Sequence, residues 1–127
     1  MALKLYTDSD ALNEITNLAP DEAKGAVASG ATFTNERAIW MKSDNTDLTY
    51  ENITITKSSD SESPAITLEY APDDEGSAGS YVETLEPDDG DYVTVYKFWR
   101  RVTKANVTEA FARTDVNHQV QADEYIV

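Results

Sequence analysis

The sequence predicts an all-β domain: an antiparallel sandwich of about seven short strands, immunoglobulin-like or carbohydrate-binding-like, behind an N-terminal arm. Three observations carry that expectation. Apolar residues recur at every second position along most of the chain. β-Branched and aromatic residues fill these runs, and fourteen threonines suit the same pleated surfaces. Acidic clusters with Pro and Gly divide the runs, as in Ala71-Pro72-Asp73-Asp74-Glu75-Gly76 and Glu86-Pro87-Asp88-Asp89-Gly90-Asp91, which are turn compositions.

Taken in order, Leu3 and Leu5 alternate with polar neighbours and form a first short strand. Ser9 or Asp10 caps an expected helical turn, with Leu12, Ile15 and Leu18 at helical spacing and Pro20 as its stop. Asp21 to Thr32 is rich in Ala, Gly and Ser and reads as a flexible connection. Residues 1–30 are therefore expected to form an arm, and residues 31–127 the sandwich. Within the sandwich, Ala38, Trp40 and Lys42 share one face and Ile39 and Met41 the other. Ile53 and Ile55 alternate with Asn52, Thr54 and Thr56, and Ile66, Leu68 and Tyr70 with Thr67 and Glu69. From Tyr92 to Thr103 one face carries Tyr92, Thr94, Tyr96 and Phe98, the other Val93, Val95, Lys97 and Trp99. Val116, His118, Val120 and Ala122 form the last apolar row.

Twenty-four acids against ten bases give a net charge of −14. Nucleic-acid binding is disfavoured, because it needs Lys and Arg to neutralise phosphates, and an anionic membrane would repel the chain. No run approaches the ~20 apolar residues of a membrane helix, and Met1 to Asp10 lacks the apolar stretch of a secretory signal. The charge is uneven: residues 69–91 hold nine acids and no base, and Tyr92 to Lys104 four bases and no acid.

Catalysis lacks its parts. There is no cysteine, and the one histidine, His118, falls inside an expected strand with no Gly-x-Ser-x-Gly elbow to supply a serine. Two carboxylates across a sugar cleft would serve a glycosidase, but acids in hydrated turns more often form a solvated rim. Zinc fails for want of Cys and a second His. Calcium, which takes several oxygens, is the one cofactor the acids suggest, at Asp88, Asp89 and Asp91 or at Asp44-Asn45-Thr46-Asp47. Neither stretch has the spaced calcium-loop pattern, and a polar turn explains both. Tyr96-Lys97-Phe98-Trp99-Arg100-Arg101 stands out most. It admits three readings: core aromatics with arginines answering the acidic turns, a protein contact built on Trp99, Arg100 and Arg101, or a stacking platform for a sugar or base.

Ala38-Ile39-Trp40-Met41-Lys42-Ser43-Asp44, Thr49-Tyr50-Glu51-Asn52-Ile53-Thr54-Ile55, and Gly90-Asp91-Tyr92-Val93 leading to Phe98-Trp99-Arg100-Arg101-Val102 resemble the small β-sandwich structural proteins of tailed-bacteriophage particles. Leu3-Lys4-Leu5-Tyr6-Thr7-Asp8 is similar to the short starts of such subunits, whereas Lys104-Ala105-Asn106 lacks the proline that follows the corresponding strand. The resemblance implies a non-enzymatic head-decoration, collar, tail or baseplate accessory subunit. Its partners would be other virion proteins and copies of itself, and it would be assembled in the host cytoplasm and located in the virion. The expected interface residues are Leu3, Leu5 and Tyr6 of the arm, docked by strand addition to a neighbour, with Trp99, Arg100 and Arg101. The competing expectation is a carbohydrate-binding module that stacks Trp40, Trp99 or exposed tyrosines on a host surface glycan.

Overall fold

A computed structural model describes residues 1–15, 24–25, 31–59, 67–107, 111–112 and 117–127. Every element in these residues is a strand: β1 (Leu3–Tyr6), β2 (Lys24–Gly25), β3 (Ala31–Ser43), β4 (Leu48–Ser59), β5 (Thr67–Asp74), β6 (Ser77–Ala78), β7 (Tyr96–Val107), β8 (Phe111–Ala112) and β9 (Asn117–Ile126). A five-stranded antiparallel sheet runs β1-β3-β7-β5-β6, and β4 and β9 form a second sheet. The inner faces of the two sheets share one core, with Leu5, Ile39, Met41, Phe98 and Val102 from the larger sheet meeting Tyr50, Ile53 and Ile55 from the smaller. The chain is an antiparallel β-sandwich, as the alternation predicts. β2 and β8 pair with each other as a separate two-residue ladder.

The period-two pattern sets the facing. Ile39 and Met41 are fully buried, while Ala38, Trp40 and Lys42 lie on the outer face. Ile53 and Ile55 point inward, and so do His118, Val120 and Ala122 of β9. Strict alternation would put Tyr50 outside, opposite Ile53, yet Tyr50 is also fully buried. Asn52 resolves this. It has φ 53°, a left-handed conformation that Asn tolerates, and the register slips by one residue between Glu51 and Thr54. The bulge turns Tyr50 back into the core.

There the Tyr50 hydroxyl lies 2.7 Å from Ser43 Oγ. Ser43 Oγ also donates to the Asn45 carbonyl, so the tyrosine is the donor of the shared bond. The pair ties the end of β3 to the start of β4 across the loop that carries the chain from one sheet to the other. Tyr50→Phe removes the donor but leaves Ser43 Oγ accepting from the Asn45 amide. It should therefore cost only about 1 kcal/mol, read as a lower urea midpoint with unchanged slope.

Three expectations are corrected. No helical turn forms over residues 9–15. Asp8, one residue ahead of the expected cap, accepts from the amides of Leu12 and Asn13, and Ala11 takes φ 55°. The chain folds back so that the Ile15 amide donates to the Leu5 carbonyl at 2.8 Å. Leu18 and Pro20 lie outside the described residues, as do Ile66 and Val116 and most of the expected connection over residues 21–32. Second, the described part of the arm is built into the domain. β1 pairs with the chain's own β3, Leu3 opposite Ser43 and Tyr6 opposite Trp40, and Leu3 and Leu5 are each only 4% exposed. Lys24–Gly25 pairs with Phe111–Ala112. Third, the long strand starts at Tyr96, not Tyr92. Tyr92 has φ 52° and its carbonyl accepts from the Ser43 amide, which ends the alternation there. Its ring still packs edge-on against Tyr96, and Tyr96 stacks on Phe98.

Candidate functional site: the outer face of the five-stranded sheet

β7 divides the conspicuous hexapeptide by parity. Tyr96, Phe98 and Arg100 face the core; Lys97, Trp99 and Arg101 face outward. The outward residues sit in register with neighbours on both sides. Trp40 lies between Tyr6 of β1 and Lys97 of β7. Trp99 lies between two alanines, Ala38 and Ala71, whose small side chains leave room for the indole; Ala71 is fully buried although it is on the outer face. Arg101 lies between Glu36 and Glu69. Threonines 34, 103 and 67 form the next rung.

Electrostatics bind this surface together. The Lys97 ammonium is 5.9 Å from the Trp40 ring centre and 5.1 Å from that of Trp99, so one cation bridges two indoles. It also lies 3.7 Å from Asp73, which accepts the Trp99 indole N–H at 2.9 Å. Arg101 binds Glu69 at 2.9 Å and stacks at 4.1 Å over Tyr81, whose hydroxyl donates to Glu36 at 2.6 Å. Burial first, and then this bond to Glu36, hold the Tyr81 phenol far above its ordinary range. The face is thus an array of half-buried aromatics braced by ion pairs. It offers rigid rings and fixed charges, and its polar groups already hold one another.

The expected interface residues divide. Tyr6, Trp99 and Arg101 lie on this face. Leu3 and Leu5 are core, and Arg100 is 1% exposed, so none of these three is offered to a partner. Arg100 lies on an inward rung with Arg37 and Tyr70 and donates to His118 Nδ1 at 3.2 Å. Sequence reasoning singled out neither Tyr81 nor Lys97 as site residues. Tyr81 follows Ala78-Gly79-Ser80 in an irregular stretch, and no local pattern reports that it returns to Arg101.

The acidic segment behaves differently from a turn. Leu85 to Gly90 runs beside β4, exchanging hydrogen bonds with Ile55 and Tyr50. It borders a cleft of about 370 Å3 with Asn52, Thr54, Glu86, Asp88 and Asp89. Asp89 accepts from the Asn52 amide, Asp91 from the Val93 amide, and the Asp88 carbonyl from the Tyr92 hydroxyl. Among the described residues no three His, Asp or Glu side chains converge as a metal-holding group, so the calcium candidates Asp88, Asp89 and Asp91 gain no ligand set. At Asp44-Asn45-Thr46-Asp47, Asp44 is held by Lys4 at 3.0 Å, and Asn45 Oδ1 accepts from the Asp47 amide.

Comparisons of this chain with protein families, with curated proteins and with solved structures find no match.

Proposed function

We propose that this domain is a non-enzymatic structural subunit that works through protein–protein contacts, in a particle of the tailed-phage kind that its sequence resembles. The observation that carries the contact surface is the outer face of the five-stranded sheet. Tyr6, Trp40, Trp99, Tyr81 and Arg101 gather there on three adjacent strands and one covering segment. Trp, Tyr and Arg are the residues that dominate interface energetics when held rigid and desolvated. Here Lys97, Asp73 and Glu69 hold them before any partner arrives, which lowers the ordering cost of association. Repetition by symmetry would let a modest contact suffice for each copy.

The test is compositional. Particles purified by density from lysed cultures of the cells that carry this gene should contain the chain in many copies, and its absence from them overturns the reading. Trp99→Ala should fold, because it removes an outer-face ring and not a core one, yet its occupancy in the particle should fall at least tenfold, as expected for truncating a hot-spot residue at ~1.4 kcal/mol or more.

A second reading draws on the same face. Two indoles on one sheet face with a cation between them also suit stacking on a sugar. Titration with host polysaccharide separates the two: a saturable shift in Trp fluorescence, lost in Trp99→Ala, favours the glycan.

A further inference from the structure

We propose that the open edge of β9, with the groove beside it, takes up an extended segment of a partner protein in which apolar and basic residues alternate. The proposal rests on the reading that this domain works through protein contacts, and it names a second surface and the form of the partner.

The two main sheets have four long edges, and the described residues cover three of them. Along β1, Ile15 bonds to Leu5. Along β5, β6 pairs with Asp73 and Asp74, and Val82 exchanges two hydrogen bonds with Tyr70 at 2.7 and 2.8 Å. Along β4, Leu85 does the same with Ile55 and Gly90 with Tyr50. The fourth edge is β9, ten residues long. It pairs with β4 on one side, and among the described residues no main-chain group bonds to the main chain of its other side; the Ala2 amide reaches only the Glu124 carboxylate, at 3.0 Å. Exposed edges are ordinarily blunted by proline, lysine or a bulge; β9 has neither Pro nor Lys, and both extra residues in its ladder, between Glu51 and Thr54 and between Lys57 and Ser59, lie on the partner strand β4.

The register shows which groups face that edge. Tyr50 and Ile55 direct their N–H and C=O toward Gly90 and Leu85, away from β9. Their partners across the ladder are Glu124 and Val120, so those residues, and Ala122 between them, direct their own N–H and C=O to the open side. The same residues have inward side chains. A strand added here would therefore gain a regular ladder and drop alternate side chains toward the seam between the sheets.

That seam is a groove. One stretch of about 170 Å3 is lined by Ile15, His118 and Val120, with Leu3 and Leu5, each 4% exposed, at its base. A second, of about 520 Å3, is lined by Ala122 to Tyr125, and Met1 borders both. Met1, Ile15, Val120 and Ala122 are the groove's accessible apolar side chains. Its charge suits cations: Glu14, Asp123 and Glu124 border it, and the one lysine there, Lys4, is already bound to Asp44 at 3.0 Å. The same acids, on a chain of net charge −14, oppose pairing of β9 with a second copy.

The test uses the whole chain, isotopically labelled, with a capped seven-residue peptide alternating Val and Lys, and a Val–Glu peptide as control. In the free protein the amides of Val120, Ala122 and Glu124 should exchange at least tenfold faster than those of Gln119, Gln121 and Asp123, a difference set by hydrogen bonding. The Val–Lys peptide should protect the three fast amides about tenfold or more, with an effect that weakens as salt shortens the screening length. Ala122→Pro removes an edge-facing N–H without touching the β4 ladder and should abolish that protection. If this variant does not fold, the wild-type exchange pattern still decides. Failure of the Val–Lys peptide to protect these amides, or equal protection by Val–Glu, overturns the proposal. So does concentration-dependent protection without peptide, accompanied by a dimer mass, which would place a second copy on the edge. Particles that contain the chain while the peptide fails would sink the edge alone and leave the structural-subunit reading standing.

Discussion

Phe98→Ala should destabilise the domain by about 3–5 kcal/mol, enough to remove most of the stability of a typical domain this size. Phe98 is fully buried on β7, the central strand of the larger sheet, opposite Ile39 on one side and Pro72 on the other. Its ring sits 6.2 Å from that of Tyr70 and 6.1 Å from that of Tyr96. Truncation removes the apolar transfer energy and leaves a cavity that three neighbouring strands, held by their ladders, cannot collapse to fill. Denaturant unfolding should show the midpoint falling with little change in slope, and the melting temperature should drop by roughly 10–20 °C. Trp99→Ala, one residue along, is the internal control. It deletes a larger side chain from the outer face, where solvent replaces much of what is lost, and it should cost well under half as much. Equal losses at the two positions would mean that β7 is not oriented as described.

That pair of neighbours also shows how far the sequence could be read. Alternation alone grouped Ile39 with Met41, Ile53 with Ile55, Leu68 with Tyr70 and Tyr96 with Phe98 on shared faces, and the structure turns those faces inward, because a sheet with one wet side imposes period two directly on the residues. The same alternation, continued past Phe98, puts Arg100 inside, and the structure follows it. The charge argued for the surface. What makes burial tolerable is an acceptor on His118, eighteen residues away in the chain, and no local pattern announces such a pairing. Tyr50 was hidden by the bulge at Asn52, since one inserted residue reverses the parity of everything before it. Leu3 and Leu5 illustrate a different limit: a four-residue alternating strand has the same sequence whether it pairs within its own sheet or on a neighbour's. The outer face was legible in part. Trp99 and Arg101 drew attention as a local cluster, but Trp40, Tyr6 and Tyr81 join them only through strand register and a covering segment.

Acid should destabilise the domain through His118, and the size of the effect follows from its partner. Burial lowers the imidazole pKa from 6.5 to about 4. The Arg100 guanidinium can only donate, so His118 Nδ1 must accept and the ring proton sits on Nε2. Protonating Nδ1 would set two donors against each other and add a charge beside an arginine. Lys57, opposite His118 on β4, and Lys4, across the groove, oppose a cation there; Glu14 is the one acid among the described residues that line this groove. The unfolded chain meets none of this and takes up its proton near 6.5, so between 6.5 and 4 the unfolded state binds more protons than the folded one. The contribution is complete above pH 6.5, declines as the pH falls through the window, and amounts to about 3 kcal/mol lost at pH 4, at ~1.4 kcal/mol per pH unit. Carboxylates titrate in the lower half of the same window, and neutralising them relieves the repulsion of a chain at −14, which masks part of the loss. His118→Gln isolates it, because glutamine keeps an acceptor for Arg100 and cannot ionise. Denaturant unfolding of both proteins from pH 7.5 to 4 should give curves that run parallel above 6.5 and diverge below it, the wild type falling faster. Curves that stay parallel to pH 4 would mean that His118 ionises as freely in the folded domain as in the unfolded chain.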